Sequence, residues 1–359
     1  MDHTDIQSIL FFILYGITGV VPFMAAVYLL LRRANAIAPG VTPPVRLRRW
    51  TASFFAVLAL AHVWWFLFYV YSGDLYSVSY VVVVMLDCVL LFVTFAGTLL
   101  AMLQDRRRSV RPALVAMIPF VAFWGAYVVY PNKLIEQISA TYLVSLCLLF
   151  TAYMVFAIRQ YGRWLNDNYA DLENKKVWLC QAVALICMLL FVLYVLASDM
   201  LFIWIVHIIE LVLVGLLLWR VETLPQLAKP SSLTSPPSPL PSNIDLAQIE
   251  QLLAEHCIAP QLYLQHDLTL QQLAKAIGTN RYYLSQYFSR QSITYNTYIN
   301  NLRINHFISR YQETASAGLP VGAQQLAHES GFRSYSTFSR AFTLRTGQSV
   351  TAWMRGTAE

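Results

Sequence analysis

The stretch Gln271-Gln272-Leu273-Ala274-Lys275-Ala276-Ile277-Gly278 returns further along the chain as Gln324-Gln325-Leu326-Ala327-His328-Glu329-Ser330-Gly331. Each copy leads into a second short helix with an apolar pair on its back, Leu284 with Phe288 and Phe338 with Phe342. Residues four apart lie on one face of a helix, so each pair marks a buried side. In the first copy Leu273, Ala274 and Ile277 supply the apolar face of the leading helix, with small Ala274 where two helices cross. Gly278 and Gly331 supply the turns. The pattern predicts two helix-turn-helix units in tandem, an arrangement whose second helix suits the major groove of DNA. Burying the backs leaves Arg281, Tyr282, Ser285 and Gln286 free in the first unit, and Arg333, Tyr335, Ser336, Thr337 and Arg340 free in the second.

Outward from the repeat, Tyr295, Ile299, Leu302 and His306 predict a longer helix joining the two units. Gly318, Pro320 and Gly322 predict a turn before the second unit. Leu246, Ile249, Leu252 and Leu253 form a helical stripe within a predicted helix over 245–257. No strand pattern is present, and the fold class is all-α. From residue 245 onward nine Lys or Arg face seven Asp or Glu. So slight a basic excess implies weak non-specific affinity for DNA and binding as a homodimer.

Upstream the composition changes. Over 224–243, Pro225, Pro230, Pro236, Pro237, Pro239 and Pro241 alternate with Ser and Thr and no hydrophobic period survives. That is a linker, read as a passive spacer. Before it the chain reads as membrane. The whole protein is 57% hydrophobic and 12% charged, whereas soluble domains run near ~25% charged. Residues 6–31 hold no charge at all, more than the ~20 residues needed to cross the hydrocarbon.

Seven spans are predicted, near 6–31, 50–71, 78–103, 112–130, 138–159, 177–197 and 200–220. The cations fall in alternate loops: Arg32, Arg33, Arg46, Arg48 and Arg49; Arg106, Arg107, Arg108 and Arg111; Arg159, Arg163, Lys175 and Lys176. The remaining loops hold only Lys133. The asymmetry predicts a membrane domain over 1–223 with its N-terminus outside, and a cytoplasmic domain over 244–359. Asp2 and Asp5 precede the first span with no cation, the reverse of a cleaved secretory leader. Of five cysteines, none forms a CxxC pair, and Cys180 and Cys187 share a helix face suited to packing.

Polar groups inside a bilayer are costly. His62, Asp87, His207 and Glu210 are predicted at a similar depth, ~10–15 Å below the outer surface at 1.5 Å per residue. Together they form a candidate ligand pocket, with aromatic walls from Trp64, Trp65, Phe66 and Tyr69. The same residues also suit metal binding, hydrolysis by a metal-bound water, or mutual pairing that holds the bundle together. No HExxH or HxxxH spacing is present, so no metal, cofactor or catalytic residue is assigned. No lysine lies within a span, which excludes a retinal Schiff base.

The run Gly331-Phe332-Arg333-Ser334-Tyr335-Ser336-Thr337-Phe338-Ser339-Arg340-Ala341-Phe342, with Gly347 and Trp353 beyond it, resembles the DNA-binding domain of the AraC/XylS family of bacterial regulators. Tyr298-Ile299-Asn300-Asn301-Leu302-Arg303-Ile304 resembles the start of that family's connecting helix, and the likeness covers 245–356. The resemblance implies two reading helices in successive major grooves of double-stranded DNA. Tyr282 and Gln286, then Tyr335, Ser336, Thr337 and Arg340, are placed toward bases. Arg303, Arg333 and Arg345 are placed toward phosphates. The family's usual glycine after the first reading helix is missing from Ser289-Arg290-Gln291-Ser292-Ile293-Thr294.

Joined, the two halves imply a non-enzymatic, one-component transcription regulator in the bacterial cytoplasmic membrane, answering a small-molecule or lipid-soluble signal. A Pro/Ser-rich linker transmits rotation poorly, so control by dimerisation or local concentration is expected. The competing readings are a membrane enzyme or transporter with an appended autoregulatory or protein-contact module, and a passive membrane tether for DNA.

Overall fold

A computed structural model describes residues 3–74, 77–197, 200–227, 246–317 and 322–358. Asp2, linker positions 228–243, and Gly318 and Pro320 of the expected turn lie outside them. The chain divides into two compact units, Met1–Tyr161 with Val177–Ala228, and Gly162–Lys176 with Lys229–Glu359. Among the described residues both are helical, and the only pairing of extended chain is an isolated antiparallel bridge between Tyr169 and Thr269.

In the first unit α1 (His3–Leu31), α2 (Val45–Tyr71) and α3 (Val78–Met102) pack in sequence. The fourth expected span is two helices, α4 (Arg111–Ala116) and α5 (Ile118–Val129). Pro119 has no N–H to give Val115, and the helix resets at Met117. Next come α6 (Lys133–Asn168), α7 (Trp178–Ala197) and α8 (Met200–Thr223). Among the described residues six helical stretches are long and apolar enough to cross a membrane, and the apolar part of α7, Trp178–Val192, is shorter. Large apolar side chains such as Phe12, Leu31, Val129 and Leu149 are two-thirds or more exposed. So much exposed apolar surface suits lipid as solvent. Inside the unit polar groups are tied down. Arg32 pairs with Glu222, both nearly fully buried, and Gln181 donates to Leu99 O at 2.9 Å.

Trp50 packs on α3, where a Cβ on Gly97 would stand 2.2 Å from its ring. The linker begins later than its proline content suggested. Leu224 and Leu227 are buried, and Gln104 clamps the chain by donating to Pro225 O (3.0 Å) and accepting from Leu227 N (2.9 Å).

In the second unit α9 (Leu246–Leu253) ends in a π-turn at Ala254–Ile258, where one continuous helix was expected. Thr269 opens α10 (Leu270–Ala276) through a reciprocal capping box with Gln272. Asn280, Thr294 and Ser334 cap α11 (Arg281–Arg290), α12 (Tyr295–Ser316) and α14 (Tyr335–Thr346) in the same sense. Between the last two lies α13 (Ala323–Glu329), and α15 (Val350–Ala358) closes the chain. Leu273, Ala274, Leu284, Phe288 and Ile299 share one core. Phe307, Leu326, Ala327, Phe338 and Phe342 share a second. Helix α12 enters both cores and joins the pairs α10–α11 and α13–α14.

The repeated glycines both hold positive φ, 73° at Gly278 and 89° at Gly331. Their surroundings differ. A Cβ on Gly278 meets nothing, whereas one on Gly331 would lie 2.7 Å from Leu264 O. Ser292 stands at φ 54° in the loop after α11, taking the left-handed conformation without the freedom of glycine. Gly278→Ala therefore costs about 1 kcal/mol of stability, and Gly331→Ala about 3 kcal/mol more through overlap with backbone. Ser292→Gly gains about 1 kcal/mol. Hydrogen exchange across α10–α15 in the full-length protein checks the order.

Candidate nucleic-acid interface and intramembrane polar cluster

Helix α11 presents Tyr282, 58% exposed, and Gln286 one turn later donates to the Tyr282 hydroxyl at 2.8 Å. The two act as one polar, aromatic tip. Helix α14 presents Tyr335, Ser336 and Arg340 exposed and Thr337 half-buried. Arg333 is exposed and pairs with Asp267 at 3.3 Å. Arg345 is also exposed and donates to Asn301 O and to the Asn305 side chain.

Arg303 corrects the sequence reading. It is 1% exposed, which removes it from any phosphate. Its guanidinium donates to Tyr263 O (2.7 Å), Gln265 O (2.7 Å) and His266 O (3.3 Å), and stands 5.7 Å from the centre of the Phe332 ring. Burial pulls it down to about 10, still charged at neutral pH. It pins the turn before α10 to α12. In sequence it was one more arginine on a helix; its place on the side of α12 shared by buried Ile299 and Ile304 was the signal for burial.

Sequence reasoning missed segment 162–176, which was counted only for its cations. Ala170 is 1% exposed and packs in the core of α9–α12. Its N–H donates to Leu268 O at 3.3 Å, and its carbonyl accepts from Asn296 Nδ2 at 2.6 Å. The Asn296 amide also reaches Tyr169 O at 3.1 Å, and Lys175 pairs with Asp267 at 3.5 Å. The segment lies beside Ser336, Thr337, Arg340 and Arg345 of α14. Arg281 loses basicity through burial, an effect opposed by neighbouring Tyr169 and Asp167. Lys176 loses basicity through burial and the nearby charge of Arg340. A cavity of about 700 Å³ is lined on one side by Asn166, Glu173, Asn174 and Lys176, and on the other by Ser336, Thr337, Arg340 and Arg345. One signal was legible: Asp167, Asp171 and Glu173 stand among the cations of this loop, more acid than in the other two cationic loops.

In the first unit three of the four intramembrane polar residues meet. Glu210 Oε2 lies 3.7 Å from His62 Nε2 and 3.8 Å from His207 Nδ1. Thr18 Oγ1 was not singled out in the sequence, yet it lies 2.9 Å from His62 Nε2 and 3.1 Å from His207 Nδ1. Asp87 is drawn aside, since its two oxygens accept from the indole N–H groups of Trp64 and Trp65. Those tryptophans therefore hold a carboxylate instead of walling a pocket, while Phe66 and Tyr69 face outward at 57% and 65% exposure. An apolar cavity of about 150 Å³ does lie nearby, between Phe54, Phe92, Phe95 and Phe191, with Asp87 and Glu210 at its edge.

Residues 273–356 match a family model described as a helix-turn-helix domain. The match is of the AraC type and marks a DNA-binding, transcription-regulating domain attached to a helical membrane domain. No curated protein and no solved structure matches the chain.

Arg303→Ala strands three carbonyls and costs about 3 kcal/mol or more. Thermal unfolding of the full-length protein should show the second unit melting early, whereas Arg340→Ala leaves its melting unchanged.

Proposed function

We propose that this protein is a membrane-integrated one-component regulator that reads a promoter through both helix pairs, with the second unit in the cytoplasm. Tyr282, Gln286, Tyr335, Ser336, Thr337 and Arg340 read bases, and Arg333 and Arg345 hold phosphates. The observation that carries control by the membrane unit is the seating of segment 162–176. The chain enters it from α6 and leaves it into α7, so a change in either helix pulls directly on the reading domain. This route would act beside control by dimerisation or local concentration.

The docked segment opposes DNA. It shares a cavity with Ser336, Thr337, Arg340 and Arg345, and it adds the acid Glu173 to that lining. Docked is therefore the off state, and a signal in the membrane unit favours release.

Three outcomes test this reading. Ala170→Asp puts a charge into an apolar core and undocks the segment, so promoter occupancy rises about tenfold for each ~1.4 kcal/mol of docking removed. Unchanged or lower occupancy, with the domain still folded, would contradict the off-state assignment. Arg340→Ala weakens the specific site by about 1–3 kcal/mol and blurs its sequence preference, measured by competition binding. Replacing 228–243 by Gly/Ser of equal length preserves the response in a promoter reporter, because the signal bypasses that stretch.

A further inference from the structure

We propose that His62, His207 and Glu210 form a binding site for a transition-metal dication of the zinc type. The inference deepens the regulator reading, since it names the ligand class of the membrane unit.

Three observations support it. First, one ligand atom from each residue converges, all within 4.8 Å of one another. A tetrahedral zinc with bonds of about 2.0–2.1 Å needs ligand atoms about 3.4 Å apart. The observed carboxylate-to-imidazole separations of 3.7 and 3.8 Å close to that by small rotamer changes.

Second, the imidazole of His62 is set up as a ligand. Its Nδ1 lies 3.0 Å from Leu58 O, and a carbonyl only accepts, so Nδ1 carries the proton. In the neutral ring Nε2 then keeps its lone pair, and that atom is the one facing Glu210. A backbone carbonyl holding the far ring nitrogen is the usual outer support of a metal-bound histidine.

Third, the carboxylate is under-used. Glu210 Oε1 is buried with no hydrogen-bond partner, and its side chain is only 10% exposed. A buried acceptor without a partner is expensive, and a dication beside it removes that cost. Two imidazoles select a zinc-like ion over calcium or magnesium, which take oxygen ligands. Thr18 Oγ1, beside both ligating nitrogens, or a water completes four-coordination. Asp87 stands at the edge of the same cavity as Glu210 and adds a second negative charge.

The test uses full-length protein in detergent, stripped with a chelator, given Zn²⁺ alone and freed of excess. Wild type should retain about one zinc per chain. His207→Ala and Glu210→Gln should weaken binding about tenfold or more, while Cys257→Ser, in the other unit, keeps it. Cobalt in the unmutated protein should give the strong visible absorption of a four-coordinate site, a readout that survives any folding failure of the variants. Wild type that holds no zinc, or His207→Ala that holds as much, would overturn the proposal. Arg340→Ala should bind zinc normally. Loss of promoter occupancy in that variant, with no zinc in wild type, would sink the metal site and leave the regulator standing. Zinc retention in wild type without promoter occupancy would uphold the site and sink the regulator.

Discussion

Ala170 fixes the connection between α6 and α7 in the core of the second unit. A methyl group buried at 1% exposure in the core of the reading unit sits in the short connection between two apolar helices. The contact is small in area but restrictive in geometry, because Asn296 and Leu268 hold the backbone on either side. The seat of this connection is a few hydrogen bonds and one buried side chain, all within the second unit.

The two units solve the problem of polar groups in opposite ways. Lipid offers no partners, so the first unit satisfies its polar groups internally: Arg32 on Glu222, Gln181 on Leu99 O, Asp87 between two indoles. In the His62, His207 and Glu210 group the oxygen left without a hydrogen-bond partner, Glu210 Oε1, belongs to a carboxylate, whereas those of Thr51, Ser139 and Gln181 are neutral. In the second unit water is at hand, yet Arg303 is buried to pin three carbonyls. Both helix pairs are held from one connecting helix, α12.

Much of this was legible in the residues. The repeat around Gly278 and Gly331 gave the helix pairs because a helical period and an obligatory turn glycine are local properties. Uninterrupted apolar runs gave the membrane unit for the same reason. The break at Met117 was foreshadowed by Pro119. What stayed hidden was non-local. Burial of Arg303 depends on carbonyls about forty residues earlier in the chain, and the seating of Ala170 depends on Asn296, with |i−j| of 126. Depth arithmetic brought His62, His207 and Glu210 to one level, but only packing could show Asp87 taken by Trp64 and Trp65, and Thr18 supplied by α1.

The central claim is that one chain both spans a bilayer and reads specific DNA. Mapping the chromosomal sites crosslinked to the full-length protein, recovered from the membrane fraction, beside the Arg340→Ala variant tests it most directly. Discrete promoter peaks are expected in the membrane fraction of wild type and should vanish in the variant. Peaks absent from wild type, or unchanged in the variant, would contradict it and leave the second unit as a module for protein contacts.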